Sequence, residues 1–200
     1  MTTTVDYFFA TVSPWAWLGH ARFGRMVNDT GSVLRVKPMD LGAVFPISGG
    51  LPLGKRAPQR QAYRLVDLKR FADTLGLAMN IQPAFFPVSG DAAARLIIAT
   101  DMAQGAAAAF DLAGRVGAAI WAEQRNVADA AVLAQLLDEA GLPASLMQAS
   151  EAVATAERYQ ANTAEAIELG VFGAPSYVIN GEIFWGQDRL EFVERRLRGA

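Results

Sequence analysis

Between Val5 and Pro38 the sequence spells a strand, a helix and a second strand, and that order leaves few folds open. The apolar run from Val5 to Phe9 predicts a buried β-strand. Ser13-Pro14 then reads as a helix start, with serine as N-cap and proline at the first helical position. Gly19, Phe23, Met26 and Val27 follow at helical spacing. Val33-Leu34-Arg35-Val36-Lys37 alternates as a second strand, closed by Pro38. Two strands joined by a helix pair in parallel through a right-handed crossover. The far end of the chain supplies a complement. The stretch from Val171 to Ile179 is strand-like again, and Asn180-Gly181 between apolar runs is a strong hairpin signal. Glu182-Ile183-Phe184-Trp185 is the partner strand. Gly186-Gln187-Asp188-Arg189 then opens a terminal helix that carries Leu190, Val193, Glu194 and Leu197.

Between these halves the period is helical, from residue 59 to residue 170. Leu65, Leu68, Ala72 and Leu75 share one face, and Gly76 supplies the stop. Further helices start near Asp91, carry Phe110, Ala113, Gly117, Ile120 and Trp121, and follow the cap Asp129 with Val132, Leu133, Leu136 and Leu137. Trp121 reads as a core residue, although the segment through Arg125 also suits a pocket wall. Phe85-Phe86-Pro87 reads as a turn with two exposed aromatics. Residues 41–58 are rich in glycine and proline and end in basic residues. They predict an irregular loop, serving either as a functional loop or as a linker into the helical block. The order β-α-β, helices, β-β-α is the thioredoxin-like plan. The chain is therefore expected to be an α/β thioredoxin-like fold with a large all-helical insertion. Residues 1–58 with 171–200 would form the thioredoxin-like domain, and 59–170 the helical insertion domain.

Composition removes whole classes of chemistry. The chain has no cysteine, which excludes disulfides, thiolate metal sites and a Cys-x-x-Cys centre. One histidine, His20, rules out a histidine-rich metal site, and no metal is expected. His20 sits within the first helix and reads as a helix residue rather than a base. A net charge of −2 over 200 residues leaves no basic footprint for nucleic acid. Met1-Thr2-Thr3-Thr4 has no basic leader, and no run reaches the length of a membrane helix, so a cytoplasmic protein without membrane or nucleic-acid partners is expected.

Ser13 lies where a strand's C-terminal end meets a helix N-terminus. Such an end carries unpaired N–H groups and about half a positive charge, which favours an anion or an incipient thiolate. In a thioredoxin-like fold the X-Pro bond before the third strand is often cis and faces that helix. Ala174-Pro175 occupies the position. The backbone N–H and C=O of Ala174 can then meet an extended peptide-like ligand as an edge partner.

Three motifs carry a resemblance that covers essentially the whole chain. Ser13-Pro14-Trp15-Ala16-Trp17-Leu18, Gly173-Ala174-Pro175-Ser176 and Phe184-Trp185-Gly186-Gln187-Asp188-Arg189-Leu190 together resemble the 2-hydroxychromene-2-carboxylate isomerase family. That family is related to kappa-class glutathione transferases and to DsbA-like oxidoreductases. The resemblance implies glutathione as cofactor, with Ser13 beside its sulfur. It implies that Ala174, before Pro175, holds the cysteinyl backbone and that Gln187 and Asp188 hold the γ-glutamyl end. On the residues alone, Asp188 is equally a helix N-cap. The chain departs from the family pattern in the loop 48–54, where members often carry asparagine, and just before Ser13, where Ala10 and Thr11 replace a frequent aspartate.

The implied reaction interconverts 2-hydroxychromene-2-carboxylate and trans-o-hydroxybenzylidenepyruvate, with Ser13 assisting the thiolate rather than attacking. A planar aromatic acid needs stiff apolar walls and a cation. Trp15, Trp17, Phe45, Phe85 and Phe86 are the candidate walls, and Arg56, Arg60 and Tyr63 the candidate carboxylate contacts. A kappa-like glutathione transferase or peroxidase, and a non-catalytic peptide-binding module, are the competing readings. The family implies a homodimer.

Overall fold

The structure is a computed structural model and describes residues 2–199. Four strands form one sheet in the order β2-β1-β3-β4, with β1 at Thr4–Phe9, β2 at Val33–Pro38, β3 at Ser176–Ile179 and β4 at Glu182–Trp185. β1 and β2 run parallel, pairing Thr4 with Val33 through Phe9 with Pro38. β3 lies antiparallel on the other side of β1, with Tyr7 opposite Tyr177, and β4 follows through the hairpin. Asn180 and Gly181 both take positive φ, 51° and 82°, which is what a two-residue turn matched to strand twist requires. This is the thioredoxin-like arrangement expected from the element order.

Side-chain alternation along β1 sorts the core onto both faces of the sheet. Val5, Tyr7 and Phe9 join one cluster with Phe23 of α1 (Pro14–Thr30) and residues of α4 (Asp91–Gln104), α5 (Ala106–Trp121) and α9 (Leu190–Leu197). Tyr7 stacks on Phe9 and Tyr177 with ring centroids 4.6 and 5.4 Å apart. Phe8 points the other way and packs with Met39, Val44, Ala166, Val171, Ala174 and Val178. The remaining helices are α3 (Pro58–Leu75), α6 (Ala130–Glu139), α7 (Ser145–Ser150) and α8 (Val153–Glu168), so the block between the strand pairs is helical as expected.

The stretch expected as an irregular loop is not one. Leu41–Ser48 forms α2, capped by Asp40, whose carboxylate accepts from the amides of Gly42 and Ala43 at 2.8 and 3.3 Å. Val44 is fully buried against the Phe8 cluster and anchors the helix despite Pro46 inside it. A short 3₁₀ turn at Leu53–Lys55 follows. The terminal helix also starts later than its sequence signal. Gln187–Arg189 is a 3₁₀ turn, and Asp188 pairs with Arg189 at 2.6 Å instead of capping α9. Trp121 is fully buried, as a core residue should be. No helix of the described residues is long and apolar enough to cross a membrane.

Candidate active site

β1 ends at Phe9, and Ala10 to Val12 carry the chain over the sheet's edge to Ser13. Ser13 has extended backbone, φ −75° and ψ 121°, and its hydroxyl accepts from the Ala16 amide at 3.3 Å. That is the N-cap bond predicted by Ser-Pro. The same oxygen lies 3.4 Å from the carbonyl of Ala174, to which it donates. The usual O–H···O distance is about 2.5–3.0 Å, so this donation is weak and the proton is available to a better acceptor. Pro14 has no N–H, Ala16 bonds to the cap, and Trp17 bonds to the Ser13 carbonyl, which leaves the Trp15 amide without a partner among the described residues. The Ala174–Pro175 bond is cis, as its place before the third strand predicts. The Phe86–Pro87 bond is cis as well, and nothing in the sequence pattern pointed to it.

Ser13, Pro14 and Trp15 open onto a cavity of about 1000 Å³. Ala174 and Gly173 form one side, Phe45 of α2 and the loop 48–53 another, and Phe86, Pro87 and Val88 a third. Arg56, Arg60 and Arg64 line it too, and among the described residues no aspartate or glutamate does. Three cations facing a space without acidic residues make the cavity electropositive, and low-dielectric walls focus that field. Arg56 is tied down, donating from Nε to the Leu51 carbonyl at 2.8 Å and lying over the Phe45 ring. Arg60 is exposed.

Several expected site residues lie elsewhere. Trp17 faces the other way, against Gly117 of α5, and belongs to the core. Phe85 is exposed outside the cavity, whereas its neighbour Phe86 forms the wall and packs on Trp121 at 4.8 Å. Tyr63 is exposed beside Arg70, on another face of α3 from the cavity. Gln187 is buried and its side chain is engaged by Arg22, which also donates to the Gln187 carbonyl at 3.0 Å. Asp188 keeps its carboxylate near the surface beside Arg189 and, like Gln187, is not among the residues lining the cavity.

Sequence reasoning missed Arg64, Phe172 and Trp185. Arg64 was legible: it stands four residues after Arg60 on one helix, hence on the same face. Trp185 stood in a quoted motif, but only the fold brings it over Gly173. A Cβ on Gly173 would fall on the Trp185 indole, with Cε2 2.9 Å away, so glycine there lets the indole lie against the backbone and line the cavity. Phe172 meets Trp185 edge-on at 4.9 Å.

A thioredoxin-like sheet with a serine at the active helix end, and no cysteine anywhere, defines a protein of this fold whose own chain supplies no redox thiol. Comparison with known proteins agrees with the frame. The DSBA-like thioredoxin domain matches residues 4–198. The 2-hydroxychromene-2-carboxylate isomerase of Pseudomonas putida is 30% identical over 193 residues, covering 95% of this chain and 92% of the relative. Glutathione S-transferase kappa 1 of Homo sapiens is 24% identical over 207 residues, covering 97% and 90%. A solved structure of 2-hydroxychromene-2-carboxylate isomerase superposes with a TM-score of 0.81 at 27% identity, covering 97% of this chain and 94% of that one. The chain belongs to the DSBA-like thioredoxin family, among the 2-hydroxychromene-2-carboxylate isomerases and their kappa-class relatives. These relatives support an enzyme of the isomerase or glutathione-transferase type.

Proposed function

We propose that this protein is a glutathione-dependent isomerase that interconverts 2-hydroxychromene-2-carboxylate and trans-o-hydroxybenzylidenepyruvate, a step in aromatic catabolism. The observation that carries the reading is Ser13: a hydroxyl at a helix N-terminus, held only by a long bond to the Ala174 carbonyl, on the wall of a cavity that three arginines and, among the described residues, no aspartate or glutamate line. The volume suits the ligands. Small-molecule pockets run to roughly 300–1,000 Å³, and this one, at the upper end, has room for a tripeptide beside a bicyclic acid.

The donors around Ser13 fit glutathione. The Ala174 N–H has no partner among the described residues, and its carbonyl accepts only the long bond from Ser13. That edge suits the cysteinyl backbone of a tripeptide. Asp188 offers a carboxylate to the γ-glutamyl ammonium. Gln187 acts at one remove, because Arg22 holds its side chain inward and so fixes the turn that presents Asp188.

Glutathione held at Ser13 and Ala174 would supply a thiolate nucleophile for reversible addition to the substrate. The chain's own groups lower the cost of that charge. Ser13 turns its proton from Ala174 toward the sulfur while still accepting from Ala16. The free Trp15 amide and the α1 end add to the field. An ordinary thiol has a pKa near 8.5, so a depression of about one or two units makes the thiolate abundant at neutral pH. The aromatic walls Trp15, Phe45 and Phe86 hold the second substrate's ring, and the arginines face its acid group. In this reading the parts 1–58 and 171–200 hold the tripeptide, the insertion 59–170 contributes to the acid's site, and the enzyme is a cytoplasmic homodimer without nucleic-acid or membrane partners.

The test is a thermal-shift titration paired with an isomerisation assay. At a hundredfold excess over its dissociation constant glutathione stabilises the folded state by about 2.7 kcal/mol. For a chain of this length that raises Tm by about 5–10 °C. Turnover of the chromene acid should require glutathione. An unmoved midpoint, or equal isomerisation without glutathione, sinks the reading, and a stable glutathione conjugate as the main product reassigns the protein as a transferase.

A further inference from the structure

Arg64 differs from the other two cavity arginines. It is half-buried, and among the described residues its side chain has no ion pair and no hydrogen bond. Its guanidinium lies over the Phe86 ring at 5.2 Å and the Trp121 ring at 5.8 Å. Burial and repulsion from Arg56 pull its pKa down to about 10. A cation taken out of water without a partner is costly, and ring faces repay only part of that cost. The two rings adjoin each other, their centroids 4.8 Å apart, so both lie on one side of the guanidinium and neither takes up its N–H groups. The unspent donors therefore form an edge at the cavity wall, in the geometry that receives a carboxylate through two parallel bonds.

We propose that Arg64 is the specificity-determining residue for the second substrate, its guanidinium edge holding the carboxylate of a planar acid whose ring lies against Phe86. The aromatic part of this assignment rests on the isomerase reading above; the carboxylate part rests on Arg64 itself. Neither of the other arginines is equivalent. Arg56 spends Nε on the Leu51 carbonyl, and Arg60 stands in water, where an ion pair contributes little. They steer the acid inward, and Arg64 binds it. An acid is thereby distinguished from a neutral analogue of the same shape, because only the acid pairs its charge with these unpartnered donors at the cavity wall.

The probe is trans-2-hydroxycinnamate, with its neutral methyl ester as control. Both are titrated by calorimetry onto protein saturated with glutathione, for the wild type, Arg64→Met and Arg64→Lys. Methionine keeps the unbranched stem and removes the charge; lysine keeps the charge and removes the fork. A charge-assisted bond of this kind is worth about 10- to 100-fold in affinity. Arg64→Met should weaken the acid by that factor, leave the ester and glutathione within about twofold, and Arg64→Lys should fall between. In turnover of the chromene acid, KM should rise while kcat stays within a few-fold. Equal weakening of acid and ester would reduce Arg64 to a packing residue. A parallel loss of glutathione affinity would give the carboxylate to the tripeptide instead, and no weakening overturns the proposal outright. If Arg64→Met does not fold, Arg64→Gln supplies the same comparison. The two readings fail separately. Charge-selective cinnamate binding without isomerisation retains Arg64 and removes the isomerase, whereas isomerisation without charge selection does the reverse.

Discussion

Replacing Ser13 tests whether its capping oxygen also takes the role proposed for it at a thiolate. As a cap, the hydroxyl accepts from Ala16 at 3.3 Å, a long bond, so Ser13→Ala should cost about 1 kcal/mol. That is small beside a total stability of about 5–15 kcal/mol, and lowers Tm by about 2–4 °C. In the proposed role as donor to a thiolate the same hydroxyl would supply a charge-assisted bond, worth about 1.5–3 kcal/mol. At about 1.36 kcal/mol per pKa unit, its loss raises the pKa of bound glutathione by one or two units. Turnover at neutral pH should then fall about 10- to 100-fold and recover in part as pH rises. Ser13→Gly isolates the second role, because glycine at an N-cap costs only a few tenths of a kcal/mol. The assay is a pH titration of bound glutathione by thiolate ultraviolet absorbance, run beside kcat/KM and thermal melts for both variants. If Ser13→Gly keeps the wild-type thiolate titration and full turnover, Ser13 is a cap and nothing more. If activity follows Tm across the two variants, the loss belongs to the fold and not to the sulfur.

Exchanging Arg56 and Arg60 together for glutamine should raise KM for the chromene acid by a few-fold, more at low salt than at high, with glutathione affinity unchanged; steady-state kinetics across ionic strength would expose a salt-independent effect and refute a steering role. Gly173→Ala puts a methyl group where the Trp185 indole lies, so the ring must shift from its place on the cavity wall. Because Trp185 is half exposed, Tm should move by only a few degrees while the emission spectrum shifts and turnover falls about tenfold; unchanged emission would show that the indole is not held there. His20 packs flat on Phe110 at 3.9 Å, and burial lowers its pKa from 6.5 to about 4, with Asp111 acting weakly in the opposite sense. Between those two values the unfolded chain binds a proton that the folded chain refuses, so stability falls as pH drops through this window, by about 3 kcal/mol in all, and the effect is complete below about pH 4. Urea midpoints across that range should show the slope in the wild type and a flatter profile in His20→Gln; identical slopes would remove His20 as the cause.

What the sequence made legible follows from how local the signals were. The strand ending at Phe9, the Ser13 cap and the Asn180-Gly181 turn each depend on residues a few positions apart, and all three appear where the pattern put them. Helix α2 was hidden because Gly42, Pro46 and Gly49 dilute its period. Its decisive contact, Val44 on the Phe8 cluster, joins residues far apart in the chain. The site divides in the same way. Ser13 and Ala174 could be paired because the element order puts a β3 entry beside the α1 start. Trp17 could not be told from Trp15 by motif alone, since both lie in the first turn of α1. Their different surroundings, Phe71 for Trp15 and Gly117 for Trp17, come from helices packed on opposite sides. Gln187 was assigned to the tripeptide from its motif. Its inward turn depends on Arg22, a helix residue with no sequence mark connecting it to the β4 end.

The missing cysteine constrains the chemistry more tightly than any contact around Ser13. A serine hydroxyl becomes a nucleophile when a base takes its proton. Here the one histidine is half-buried and packs against Phe110, away from the cavity, and among the described residues no aspartate or glutamate lines the cavity. Ser13 is therefore equipped to donate a hydrogen bond and not to attack. In the proposed function the nucleophile arrives with a ligand, and the groups at the site favour a negative charge: the Ser13 proton, the Trp15 amide, the positive end of α1 and three arginines. A thiol suits such a place better than an alcohol, because its pKa near 8.5 needs only a small push to ionise at neutral pH. A bound thiolate at one end and a carboxylate on Arg64 at the other would share the field of the same arginines. Each anion thus weakens the cation field available to the other, and the two ligands should bind with slight mutual antagonism that grows as salt is removed. Glutathione affinity measured with and without trans-2-hydroxycinnamate, at low and high ionic strength, tests this directly, and cooperative binding at low salt would show that contact between the ligands outweighs their shared charge.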